Sequence, residues 1–194
     1  MVYRVAGITE LNNDALQVAL VQFEVNGKNW SYEIKAVTQY SYTDDWKQQL
    51  QAAIDLPLAP FFQLHQSYGE LMANTLLRFI EEHQLHYQVQ LIACPGKQLP
   101  APVDFTLGDG GAVAALTGIN TVSHFTNIDT ALGGSNQTLS FPQLSQAGNS
   151  SEQAIVNSCF FAVLRWREEN NLLADATGAS RNSIGGAVWI GQEW

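Results

Sequence analysis

Val2 to Ile8 and Leu16 to Val25 are rich in Val, Leu and Phe, and Trp30 to Tyr42 alternates aromatic or aliphatic residues with polar ones. Runs of this kind fit β-strands, and Asn26-Gly27 supplies the residues a tight turn needs between the second and third. An antiparallel three-strand opening is predicted. Thr43-Asp44-Asp45-Trp46 then begins a short helix, with Thr43 or Asp44 accepting from the free N–H groups of its first turn. Pro57 and Pro60 read as breaks, and beyond them Phe61, Leu64, Tyr68, Leu71, Met72, Leu76, Phe79 and Ile80 recur with helical spacing, which predicts a long amphipathic helix over 60–84.

Val89 to Cys94 is a continuous enough apolar run for a buried strand, and Gly108 to Thr117, Ala-rich after Gly-Asp-Gly, reads as a helix. Ile119 to Ser123 adds a short strand. Phe141 to Asn149 is polar and contains Pro and Gly, as connectors do. From Ser150 to about Asn171 a second long helix is predicted. Its Ala154, Ile155, Cys159, Phe160, Phe161, Val163 and Leu164 fall on more than one face, so neighbours must cover it. Thr177 to Gly186 reads as a turn region and Ala187 to Ile190 as one more strand. The order implies an α/β fold with a mixed sheet and helices packed on it.

Composition narrows the partners. A chain of 194 residues with 46% apolar and 14% charged residues has the material for one domain with a sizeable core. Eighteen acidic against nine basic residues give a net charge of -9, which repels phosphate backbones and anionic lipid, so neither nucleic acid nor a membrane surface is expected as a partner. Met1 to Ile8 lacks the long apolar stretch and cleavage site of a secretory signal, and Cys94 and Cys159 stand in apolar surroundings like reduced core thiols. A cytoplasmic protein is expected. His83 and His86 lie near a helix end without a third ligand at suitable spacing, so no metal site is expected.

Three stretches carry candidate chemistry: Leu107-Gly108-Asp109-Gly110-Gly111-Ala112-Val113-Ala114, Asp129-Thr130-Ala131-Leu132-Gly133-Gly134, and Thr177-Gly178-Ala179-Ser180-Arg181-Asn182-Ser183-Ile184-Gly185-Gly186. The first two resemble the end of the N-terminal half of an anhydro-N-acetylmuramic acid kinase, and the third resembles that family's C-terminal end. The resemblance implies an actin/hexokinase-like (ribonuclease H-like) domain with a C-terminal helix packed back on it. Residues 1–140 would form a kinase-like lobe, 141–149 a connector where the family's second lobe is expected, and 150–194 the returning helix and tail.

By the same resemblance, Thr9, Glu10, Asn12, Asn13 and Asp14 stand where the family has a Gly-rich phosphate loop. Such loops bring backbone N–H groups close to phosphate oxygens. Here the interior glycines are gone, and a carboxylate at Glu10 would oppose a γ-phosphate by roughly 4 kcal/mol per charge pair at an effective dielectric of 20. Taken by itself, the segment reads as an ordinary turn with Asn12-Asn13 at its tip. The family's His-containing motif is replaced by Cys94-Pro95-Gly96-Lys97-Gln98, and the acid and Arg of its third motif by His124 and Thr126.

Asp129 corresponds to the remaining acid and is the candidate catalytic base, or else the cap of the turn that follows. Gly108, Asp109, Gly133 and Gly134 would lie beside the sugar, though Asp109 also suits a helix cap, and Arg181 would hold the tail or an anion. The expectation is a degenerate kinase relative that binds an amino sugar or a protein. Its exposed lobe face, around Phe125, Ile128, Leu139 and Phe141, would pair with another copy or with a companion kinase-like chain. ATP and Mg2+ would enter only if such a partner completed the site, which would make the alternative a split amino-sugar kinase.

Overall fold

The computed structural model describes residues 1–27, 29–100, 105–125 and 150–170, and the backbone of the strand Gly186–Ile190. Three long strands open the chain, β1 (Val2–Leu11), β2 (Ala15–Asn26) and β3 (Asn29–Ser41), paired antiparallel in sequence order. The helix α1 (Asp44–Ala52), a 3-10 turn (Ala53–Asp55) and the helix α2 (Leu58–Glu82) follow. Next come β4 (Leu91–Cys94), the two-residue strands β5 (Lys97–Gln98) and β6 (Thr106–Leu107), the helix α3 (Gly110–Thr117), and β7 (Thr121–His124). A helix α4 (Ser150–Glu169) and the strand β8 (Gly186–Ile190) complete the described elements.

The six-stranded sheet runs β3-β2-β1-β4-β7-β8, with β4 and β7 parallel to β1 and its flanks antiparallel. This is the mixed α/β sheet expected of an actin/hexokinase-like domain. Each central strand is covered on both faces, which is why β2 is buried along nearly its whole length and reads as a continuous apolar run. The edge strand β3 instead alternates exposed and part-buried positions. Its register shifts so that Leu20 faces Ala36 and Val21 faces Ile34, leaving Lys35 as the extra residue. A bulge carrying a Lys on an edge discourages pairing with a further strand.

Two cores lie on opposite sides of the sheet. On one, Ala6, Ile8, Leu16, Val18 and Leu20 meet Leu64, Tyr68, Met72, Leu76 and Phe79 of α2. On the other, Val5, Ala19, Val21 and Phe23 meet Ile155, Val156, Cys159, Phe160 and Val163 of α4. Neighbouring residues along β1 and β2 thus serve different helices, as a period of two requires. The α4 helix is buried continuously from Cys159 to Leu164, whereas Ala154, which the sequence pattern grouped with its apolar face, is exposed. Arg167, near its end, is also buried and lies over the rings of Tyr3 (5.7 Å) and Trp30 (5.3 Å).

The helix boundaries follow local chemistry. Thr43 caps α1 by accepting from the Trp46 amide at 3.3 Å. Pro57 precedes α2, and Pro60 lies inside the first turn instead of breaking the chain, because the amides there have no helical partner to lose. Gly118, with φ 66°, ends α3. The strand predicted over 89–94 is shorter, Leu91–Cys94, and the small β5-β6 hairpin is too short to leave a periodic signal.

Phe79 is fully buried beneath the sheet. Phe79→Ala should cost about 3–5 kcal/mol in urea denaturation, against less than about 0.5 kcal/mol for Gln51→Ala on the exposed side of α1.

Candidate functional site

The parallel strands β1, β4 and β7 bring two groups of polar residues to the same end of the sheet. One group surrounds the β1–β2 hairpin. Thr9 and Glu10 belong to β1 itself, opposite Gln17 and Leu16, and only Asn12, Asn13 and Asp14 form the turn. Asn12 and Asn13 take left-handed backbone angles, φ 52° and 59°, and the Asp14 amide donates to the Leu11 carbonyl at 3.0 Å. Asn tolerates this conformation better than other residues with side chains. The segment is therefore a compact hairpin tip.

Its charges are satisfied internally. Lys97, 9% exposed at the start of β5, donates to both Glu10 carboxylate oxygens, at 2.6 and 2.7 Å, and to Asn13 Oδ1 at 2.6 Å. The Glu10 charge is thus compensated, unlike the isolated carboxylate suggested by the sequence. Lys47 of α1 pairs with Asp14 at 2.9 Å. Beneath Glu10, the hydroxyls of Tyr42 and Tyr68 share a 2.6 Å hydrogen bond. Burial raises the pKa of both, and the negative charge of Glu10 raises them further. Glu10 and Lys97 are 87 positions apart, and only the parallel pairing of β1 with β4 brings them together.

The second group is built on the N-terminus of α3. Asp109 caps this helix, its Oδ1 accepting from the Gly111 amide at 2.8 Å. Gly69 of α2 allows the approach: a Cβ there would stand 2.6 Å from the Asp109 carbonyl oxygen. Gly108 has φ 110°, a backbone angle that side chains resist. Its amide donates to His65 Nδ1 at 3.0 Å, and the Asp109 amide to the His65 carbonyl at 3.2 Å. Because Nδ1 accepts, the proton of a neutral His65 resides on Nε2.

His124, at the end of β7, lies with its ring centre 6.0 Å from that of His65 and its Nδ1 3.0 Å from the Ser123 hydroxyl. It too has a left-handed angle, φ 54°, which is uncommon for a residue with a large side chain. Phe105 packs against His65 at 5.3 Å and against Phe61 at 5.2 Å. Burial lowers the pKa of both histidines, with the Asp109 charge acting in the opposite direction. The result is a half-buried cluster of a carboxylate and two neutral imidazoles, able to donate and accept hydrogen bonds.

Gly108 and Asp109 are thereby placed in one cluster, at the same strand ends as Glu10. His65 had no distinguishing sequence signal, since it occupies one helical position among many, and Lys97 stood out only as part of a replaced motif. Asp129, Gly133, Gly134 and Arg181 lie outside the described residues, as do Ile128, Leu139 and Phe141. Phe125 is partly buried, its ring 4.8 Å from that of Phe161. His83 closes α2 against Phe79 and bonds Thr38 at 2.8 Å. Among the described residues, no three His, Cys, Asp or Glu side chains are grouped to hold a metal ion, and no helix is long and apolar enough to cross a membrane. Both cysteines are buried thiols, and burial pushes Cys94 up to about 12.

The lowered histidine pKa values set a pH dependence. Above the ordinary imidazole value of 6.5 the rings are neutral in both folded and unfolded chains, and their contribution to stability is complete. As the pH falls below it, the unfolded chain takes up protons that the buried rings resist, and stability is lost. Urea titrations between pH 7 and about 5 should show this loss, and His65→Gln should flatten it. Lys97→Met, which strands the Glu10 carboxylate, should lower the unfolding free energy by about 2–4 kcal/mol at neutral pH.

Comparison with known proteins gives the lineage. Two curated relatives, both named anhydro-N-acetylmuramic acid kinase, come from Actinobacillus pleuropneumoniae serotype 5b (strain L20) and serotype 3 (strain JL03). Each is 35% identical over 79 residues, a stretch that takes in 37% of this chain but only 21% of the relative's length. The family model described as anhydro-N-acetylmuramic acid kinase matches residues 5–157, which includes the hairpin, Lys97 and the Asp109 cluster, and the chain belongs to that family.

Proposed function

We propose that this chain is a non-catalytic member of its family, a sugar- or protein-binding and assembly module instead of a self-sufficient phosphotransferase. The observation that carries this reading is the pairing of the two lysines beside the hairpin with the hairpin's own acids: Lys97 of β5 with Glu10 and Lys47 of α1 with Asp14. Phosphoryl transfer depends on cations and preorganised donors that neutralise the charge on the transferred group. Here the positive charges are committed to carboxylates, and the replacement of the loop's glycines removes close backbone approach. The neutral His65 and His124 beside Asp109 suit the hydroxyl and amide groups of an uncharged amino-sugar ring, with Phe105 as an apolar wall. A cytoplasmic, homo-oligomeric protein of bacterial peptidoglycan recycling is the setting that best fits this reading.

The same cluster favours one alternative. If Asp109 and its histidines form half of a sugar site, a companion chain would bring the remaining walls together with ATP and Mg2+, making a split anhydro-amino-sugar kinase. Asp129 is the base this alternative would use, with Gly133 and Gly134 at the sugar. The two readings separate in a coupled ADP-release assay with anhydro-N-acetylmuramic acid, run on the chain alone and with its candidate companion chain: the non-catalytic reading expects no turnover in either preparation, the split kinase turnover only in the mixture. The protein alone should show no turnover, and calorimetry should give ATP a dissociation constant no tighter than about 1 mM, or about -4 kcal/mol. Micromolar ATP binding or steady turnover by the isolated chain would overturn the non-catalytic reading.

A further inference from the structure

Glu10 is held in the way a bound oxyanion is held. Both of its carboxylate oxygens receive a hydrogen bond from the Lys97 ammonium, and the side chains of the pair are only 16% and 10% exposed. The Tyr42 hydroxyl feels the same carboxylate and is backed by Tyr68. Asn13 Oδ1 accepts the third hydrogen bond of the Lys97 ammonium and orients it. A cation and a phenol therefore converge on one small position at the solvent edge. The occupant is supplied by the chain itself, from the last turn-proximal residues of β1.

We propose that Lys97 and Tyr42 form an oxyanion receptor, with Asn13 orienting the ammonium, and that Glu10 is its built-in plug, an autoinhibitory contact that keeps phosphate and phosphomonoesters out of the hairpin. The physical ground is the asymmetry of buried ion pairs. A paired Lys and Glu are mutually satisfied, whereas a buried ammonium whose carboxylate has been removed requires another anion or must lose its proton. Competition from a free oxyanion fails in the native chain because Glu10 is tethered, and a tethered ligand has a high effective concentration. This inference rests on the non-catalytic reading above, since an open phosphate site at the hairpin would serve a kinase.

The test uses inorganic phosphate as the probe, at constant ionic strength maintained with sodium chloride. Calorimetric titration of Glu10→Ala should show phosphate binding at least about tenfold tighter than to the wild type, and Glu10→Ala/Lys97→Met should lose the gain. Glu10→Gln keeps the side-chain shape and guards against a folding defect: phosphate should raise its melting temperature more than that of the wild type. Equal phosphate affinity in the wild type and in folded Glu10→Ala would overturn the proposal. So would a gain that survives in the double variant, because the anion would then sit elsewhere. These outcomes are independent of the ADP-release assay on the native chain, so a failed plug and a failed non-catalytic reading give different results.

Discussion

The ion pair between Glu10 and Lys97 locks together parts of the molecule that the pairing of β1 with β4 brings close. Glu10 is the last residue but one of β1, the strand that pairs with both β2 and β4, and Lys97 begins β5, which pairs with β6 just before the Asp109 cluster. Desolvating two charges is expensive, and the energy is recovered only where geometry is close and the remaining polar atoms are satisfied. Here the ammonium has three oxygen partners and the carboxylate adjoins the Tyr42–Tyr68 pair. A buried pair of this kind specifies position more than it adds stability. It fixes the hairpin tip against the segment that follows β4, and it determines which charges the tip presents to a ligand.

That arrangement requires a rigid support, and the double-sided sheet supplies it. Val5, Ala6 and Ile8 are almost completely removed from solvent, as are Val18, Ala19 and Val21 beside them. With α2 on one face and α4 on the other, neither strand can slip by one residue without turning each set of side chains toward the wrong helix. The polar residues collect where this packing stops, at the ends of parallel strands, which is where open α/β sheets present their binding crevices. At this end of the sheet the two groups differ in character. The hairpin is neutralised and closed, while Asp109, His65 and His124 keep hydrogen-bonding capacity beneath Phe105.

Family membership and chemistry accordingly have different foundations. The family match covers residues 5–157, and the fold over that span rests on an apolar framework. Chemistry depends on individual polar side chains, and here these are the Glu10–Lys97 pair and the cluster of Asp109, His65 and His124. They stand at strand ends, turns and helix surfaces, where packing imposes little on the identity of a residue.

Local sequence determined the elements of this protein. Strand alternation and helical spacing depend only on neighbours along the chain, so β1 to β3, α2 and α4 were legible from residues such as Val5, Trp30, Tyr68 and Phe160, as were the caps at Thr43 and Asp109. Pro60 was misread because its effect depends on where the helix begins. Tertiary structure alone decided which polar residues share a site. Glu10 finds Lys97 across 87 positions, and His65 meets Gly108 and His124 from three different elements. No periodicity carries such partnerships, because Coulomb forces and hydrogen bonds act through space, and the distances they need exist only after the sheet has formed.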